Sequence, residues 1–251
     1  MAARRPHMRQ SLRVATDQSY AIPSRPVLAF DAYGTLFDTG TGSVEATAAI
    51  LARYDPEVSP VDFYEVWKSH NLRLELERPD FQTEARLFQI GLALTFVEFG
   101  IDGDAARDIP LLLATQGRRA PFDDVAESLS RLARRARIVI ASNSDTAPLH
   151  ANVDRASLPV DVVISSEDLE VYKPDPRFYE RLLGRLDLRA EELVFIGDTL
   201  EGDVLAPRRA GIETIWLRRD RSAYAGVTDE PSVGDLAAVE ALLRDRGLVT
   251  G

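Results

Sequence analysis

Five short apolar runs punctuate the chain, at 27–30 (VLAF), 137–141 (RIVIA), 160–164 (VDVVI), 193–196 (LVFI) and 214–217 (TIWL). Their apolarity is continuous rather than alternating, which suits strands buried on both faces of a parallel sheet. Helical patterns separate the later runs, over 122–135, 175–186 and 201–210, and another closes the chain between Val233 and Arg246. This alternation of strand and helix predicts an α/β fold with a doubly wound parallel sheet. Between the first two strands, residues 43–120 read as helices only, at 43–54, 60–78, 81–99 and 104–116, broken at Pro56, Pro79 and Gly100. That segment is too long for a simple crossover. It predicts an inserted all-helical cap over 43–120, carried by a core of 26–42 and 121–251.

Composition narrows the picture. The chain has 251 residues, 45% hydrophobic and 28% charged, as an ordinary globular protein does. No apolar run approaches the roughly 18 residues of a membrane span. The net charge of −10 argues against a nucleic-acid or anionic-membrane partner. With no cysteine, disulfides, thiolate metal sites and cysteine nucleophiles are excluded. Residues 1–25 carry five arginines against Asp17 and lack the apolar core of a secretory signal, so a disordered extension and a cytoplasmic protein are expected. Oligomeric state leaves no mark in the pattern. Of 30 basic residues only Lys68 and Lys173 are lysine, which asks whether an amine is needed at either place.

The candidate chemistry sits at strand ends. Asp31 follows VLAF directly, Ser142 follows IVIA, and Asp198 follows LVFI and one glycine. In an open parallel sheet, ligands bind in the crevice beyond the carboxyl ends of the strands. One aspartate there is usually a turn or cap residue. Three polar residues at equivalent positions, with Lys173 in a fourth strand-end loop, point to one site for a small anionic substrate. Two carboxylates at Asp31 and Asp198 would repel at close range, and a divalent cation such as Mg²⁺ would remove the conflict.

The motifs DAYGTLFD, ASNSD, VYKPDPRFY and GDTLEGD, in this order, resemble those of the haloacid dehalogenase (HAD) superfamily of hydrolases. The resemblance runs from residue 27 to about 245 and implies a Rossmann-like core with a helical cap inserted after the first motif. It implies Asp31 as a nucleophile that forms a covalent intermediate. Thr35 and the glycine turn would aim backbone N–H groups at the electrophile's oxygens, Ser142 and Asn143 would meet the substrate, and Lys173 would neutralise charge at the reacting group. Asp31, Asp198 and Tyr33 would be the metal positions, and Asp203 would orient a metal-bound water or a loop amide.

Two halves of the chain pull apart. Phosphatases of the family place a second aspartate two residues after the nucleophile as general acid and base; here that residue is Tyr33. A phenol with pKa near ~10 donates a proton but is a poor base at neutral pH. DAYGTLFD resembles the 2-haloacid dehalogenases instead, whose halide leaves without a proton. RRAPFDDVAESL resembles the hinge that returns from their cap, and Tyr179 matches one of their tyrosines. Trp67-Lys68 stands where they carry Trp-Arg to receive halide. GDTLEGD, by contrast, resembles the Mg²⁺ motif of the phosphatases. The first expectation is therefore a Mg²⁺-dependent phosphatase of a small phosphorylated metabolite, and the alternatives are a metal-independent 2-haloacid dehalogenase or a non-catalytic binding protein. Carbon–phosphorus cleavage with Lys68 as an imine-forming amine is a further reading. Lys68, His70 and Arg73 are the cap residues expected to face the site.

Overall fold

The computed structural model describes residues 25–54, 57–77, 80–220 and 228–249. Except for Arg25, the expected N-terminal extension lies outside them. Six strands form one sheet: β1 (Val27–Phe30), β2 (Arg137–Ser142), β3 (Val162–Ser165), β4 (Leu193–Gly197), β5 (Glu213–Leu217) and β6 (Ser232–Val233). Their order is β3-β2-β1-β4-β5-β6 and every pairing is parallel. The chain leaves β1 for β2 and β3 on one side and returns to β4 on the other, so the direction of winding switches at β1. That switch opens a crevice beyond the ends of β1 and β4.

The sheet is buried on both faces. Leu28, Phe30, Ile138, Ile140, Val194 and Ile196 pack one way against α5 (Val125–Leu132) and α10 (Leu236–Asp245). Val27, Ala29, Val139, Ala141 and Phe195 pack the other way against α8 (Pro176–Leu186). This accounts for the unbroken apolarity of the strand sequences: successive side chains enter different cores, and neither face meets water.

Between β1 and β2 come α1 (Gly42–Leu51), α2 (Pro60–Glu77), α3 (Glu84–Glu98) and α4 (Ala105–Leu113). They share an apolar cluster of their own, with Ile50, Phe63, Trp67, Leu92, Phe96 and Leu112 at its centre. No helix among the described residues is long and apolar enough to cross a membrane.

Three elements escape the sequence pattern. Helix α6 (Thr146–Ala156) contains Pro148, which argues against a helix, but the proline lies in the first turn, where a missing N–H loses no intrahelical bond. Helix α7 (Ser166–Leu169) is a single turn closed by a capping box between Ser165 and Asp168. The edge strand β6 is two residues long, too short to show a period. The expected helix over 201–210 divides into a wide helical turn, Leu200–Leu205, and the short α9 (Ala206–Arg209).

Candidate active site

Register brings the site together. Phe30 pairs with Ile140 on one side and Ile196 on the other, so Asp31 just past β1, Ser142 at the end of β2 and Asp198 just past β4 emerge at one edge of the sheet. The Asp31 amide donates to the Ile196 carbonyl at 2.8 Å, which fixes where its side chain starts. Oδ1 of Asp31 accepts from Ser142 Oγ at 2.8 Å and from Lys173 Nζ at 2.7 Å. Neither bond uses Oδ2. The Lys173 ammonium also donates to Asp203 Oδ1 at 2.6 Å, and both Lys173 and Asp203 are buried.

Asp203 has no oxygen to spare: Oδ2 accepts from the Thr199 amide at 2.9 Å and the Thr199 hydroxyl at 2.6 Å. It orients a loop amide, one of the two roles expected of it. Gly197 makes this possible, because a Cβ there would lie 2.4 Å from the Asp203 carboxyl carbon. Asp198 is held from two sides. Thr35 Oγ1 donates to its Oδ1 at 3.3 Å, and Trp216 Nε1 donates to its carbonyl at 2.8 Å.

Acidic oxygens from Asp31, Asp198 and Asp203 lie within 4.8 Å of one another, with Lys173 the cation among them. Burial pushes the Asp31 carboxyl up, opposed by the Lys173 ammonium and reinforced by Asp203. Burial, then the charges of Asp31 and Asp203, push Asp198 up to about 8. Lys173 is itself raised: burial works to lower it, and the carboxylates of Asp203 and Asp31 outweigh burial. The crowding has two reliefs, a proton on Asp198 or a divalent cation. The donor set is all hard oxygen and fits Mg²⁺. Asp31 and Asp198 would hold such an ion, since the Asp203 oxygens are already taken. A bound cation would supply charge neutralisation at the reacting group.

Gly34 sets the tolerance of this corner. Its φ is +84°, and a Cβ there would lie 2.3 Å from Asp198 Oδ2. Both the left-handed backbone and the close approach require glycine. Gly34→Ala is expected to lower stability by roughly 2 kcal/mol or more and to displace the Asp198 carboxylate. Thermal unfolding and a Mg²⁺ titration of the variant check both effects.

Several expected site residues do other work. Asn143 does not reach for substrate: its Oδ1 accepts from the Lys173 amide at 2.8 Å and its Nδ2 donates to the Lys173 carbonyl at 3.1 Å, so it clamps the lysine's backbone. Tyr179 is fully buried and donates to the Gly202 carbonyl, so its hydroxyl anchors the turn that carries Asp203 instead of a ligand. Thr35 spends its hydroxyl on Asp198, and the Gly34 amide donates to Phe37 O at 2.8 Å, so this glycine N–H is not free for an oxyanion.

Lys68 faces water on α2, its side chain 64% exposed and 3.9 Å from Glu65. Its neighbour Trp67 is buried and donates to Phe88 O, which fixes that face of the helix inward and sends Lys68 outward. Exposure removes the desolvation an imine-forming amine would need. His70 Nε2 lies 2.9 Å from Glu98 Oε2, and Arg73 Nη2 lies 2.9 Å from His70 Nδ1. The Tyr33 hydroxyl accepts from Asn152 Nδ2 at 3.0 Å and lies 3.4 Å from Ser144 Oγ, so the phenol is engaged there and not at the carboxylates. Burial pushes that phenol above its ordinary value, which makes it a still poorer base.

Sequence reading missed what joins cap to core. Asp145, three residues past Ser142, accepts from the Glu84 and Ala85 amides at 2.6 and 2.9 Å. These first-turn amides of α3 have no partner within their own helix, and a core carboxylate supplies one. Tyr172 adds a second latch, donating to Gln82 O at 2.8 Å and stacking on Phe81. The aspartate in ASNSD was visible; what it caps was not, because its partner lies about 60 residues away.

Comparison with known proteins adds relatives to this geometry. The model of the haloacid dehalogenase-like hydrolase family matches residues 26–211. An (S)-2-haloacid dehalogenase of Pseudomonas sp. (strain YL) is 30% identical over 220 residues, covering 84% of this chain and 91% of that protein. A ribulose-1,5-bisphosphate 5-phosphatase of Halopiger xanaduensis is 36% identical over 120 residues, covering 47% of this chain and 48% of that protein. Among solved structures, a defluorinating L-2-haloacid dehalogenase superposes with a TM-score of 0.71 at 26% identity, covering 88% of this chain and 95% of that one.

Proposed function

The chain belongs to the haloacid dehalogenase-like hydrolases, and on that premise we propose that it hydrolyses a small anionic substrate through a covalent ester on Asp31, first of all by displacing halide from a 2-haloacid. The observation that carries this reading is position 33. The Tyr33 hydroxyl is taken up by Asn152 and Ser144, so the position two residues beyond Asp31 brings no carboxylic acid to protonate an alkoxide. A halide leaves with its electron pair and needs no proton. The dehalogenase relative, matched over most of both chains, supports the same ordering, which reverses the phosphatase-first expectation.

In this reading Asp31 Oδ2 attacks C2 of the acid, the carbon–halogen bond breaks, and an ester joins Asp31 to the substrate. Lys173 and Ser142 hold Oδ1 and so aim the other oxygen, converting a bimolecular attack into a positioned one. Water then attacks the ester carbonyl and the Cγ–Oδ2 bond breaks: one water proton passes to the departing 2-hydroxy oxygen and the other to solvent, and Asp31 returns to the carboxylate with an oxygen from water. Lys173 lies where negative charge develops on that carbonyl oxygen.

The second reading, Mg²⁺-dependent hydrolysis of a phosphate ester at the same Asp31, is favoured by the Asp31–Asp198–Asp203 cluster. One assay separates the two. Chloride release from 2-chloropropionate and phosphate release from p-nitrophenyl phosphate are measured, each with Mg²⁺ and with EDTA. Chloride release that survives EDTA is expected. Phosphate release abolished by EDTA, without chloride release, would put the second reading first, and no turnover of either kind would favour a binding protein.

A further inference from the structure

The lone arginine of the cap–core cavity has no part in the chemistry above. Where the cap meets the sheet ends lies a cavity of about 150 Å³, with Tyr33 at one side and Arg119 at another. At ~30 Å³ for each water, it has room for a short organic chain. Arg119 stands in the segment that returns from the cap to β2. Its Nη2 donates to the buried Ser43 hydroxyl at 3.1 Å, and it forms no ion pair among the described residues. Its backbone amide donates to Asn152 Oδ1 at 2.8 Å, and the same Asn152 donates to the Tyr33 hydroxyl. One fully buried amide therefore fixes the cavity's cation relative to the loop that bears the nucleophile.

Among the described residues the same wall carries one acid. That acid, Glu84, has its carboxyl pushed well up by burial, and by Glu75 and Asp145 after it, with the Arg119 charge opposing, so its charged form is disfavoured there. Asn71, 7% exposed, stands in the same wall with an Oδ1 that has no hydrogen-bond partner. Its amide fits only because residue 91 is glycine: a Cβ there would lie 2.0 Å from Oδ1. A buried acceptor left unpaired is costly.

We propose that the substrate carries a carboxylate remote from the reacting atom, and that Arg119 receives it, making Arg119 the specificity-determining residue of the cavity. A guanidinium presents parallel N–H groups that match a carboxylate in two bonds. Ser43 holds one nitrogen and leaves other N–H groups for the ligand. The preferred substrates are thus short and two-ended: the carbon that bears the leaving group meets Asp31, and the far carboxylate meets Arg119. This rests on Asp31 as the nucleophile.

The test compares substrates that share a leaving group, 2-chlorosuccinate with its far carboxylate and 2-chlorobutyrate without it. The protein is expected to favour chlorosuccinate at least tenfold in kcat/KM, mainly through KM. That ratio should fall to near one in Arg119→Met and recover in part in Arg119→Lys. An equal loss on both substrates in Arg119→Met, with the ratio intact, would mean a structural role and would overturn the proposal. Calorimetry on the unaltered protein gives a second measure that needs no variant. Succinate is expected to bind at least tenfold more tightly than butyrate, and equal affinities would also overturn the proposal. Asp31→Asn keeps the two failures apart. If that variant is inactive and the wild-type ratio is near one, only the role of Arg119 falls. If it turns over normally, the nucleophile assignment falls.

Discussion

Asp31→Asn is expected to remove turnover, with a loss on the order of 10⁴-fold or more in kcat. The amide has the size of the carboxylate but no nucleophilic oxygen, and no other carboxylate is placed to take over. Asp203 is consumed by Lys173 and Thr199, and Asp198 is bound by Thr35. The protein should remain folded, because Lys173 keeps Asp203 as its partner and one of three crowded acids is gone. A melting temperature equal to or above wild type, together with dead chemistry, is the signature of a residue retained for reaction at some cost to stability. Mass spectrometry of enzyme quenched during turnover should find an adduct on the wild type and none on the variant. Activity within tenfold of wild type would remove Asp31 from the mechanism.

Lys173→Met should be damaging in a different way. The lysine is 7% exposed and its ammonium lies 2.7 Å from Asp31 and 2.6 Å from Asp203. Without it, two buried carboxylates lose their shared counter-ion, and breaking a buried pair in this way costs about 3–5 kcal/mol. At roughly 2–4 °C per kcal/mol for a chain of this size, the melting temperature should fall by several degrees to well over ten. Acid should narrow the deficit, since burial raises the Asp31 carboxyl and protonating it removes a charge that lost its partner. Thermal unfolding at pH 7 and pH 5 checks this. A fall smaller than 2 °C at pH 7 would mean that the ammonium does not compensate those charges.

The chemistry-bearing strand ends were legible because each motif follows an apolar run that is necessarily a strand: Asp31 after VLAF, Ser142 after IVIA, Asp198 after LVFI. Parallel pairing then leaves little freedom in where those side chains emerge. What each one touches was far less legible. Asn143 stands next to Ser142 in the chain, yet both ends of its amide close on the backbone of residue 173. Lys68 adjoins a buried tryptophan and for that reason points the other way, because neighbouring positions on a helix are about 100° apart. Arg119 gave no signal among 28 arginines, since its significance lies in a wall to which Tyr33, Asn71 and Glu84 also contribute.

By itself, then, the sequence determined the parallel sheet, the inserted helices and the strand-end acids, because hydrophobic period and motif order are local properties written in consecutive residues. Only the tertiary structure decided which hydroxyls and amides serve the ligand and which serve other side chains. It also decided that the cap turns an arginine, not its lysine, toward the cavity. Hydrogen bonds and burial depend on partners brought together from distant parts of the chain, and no local pattern specifies them.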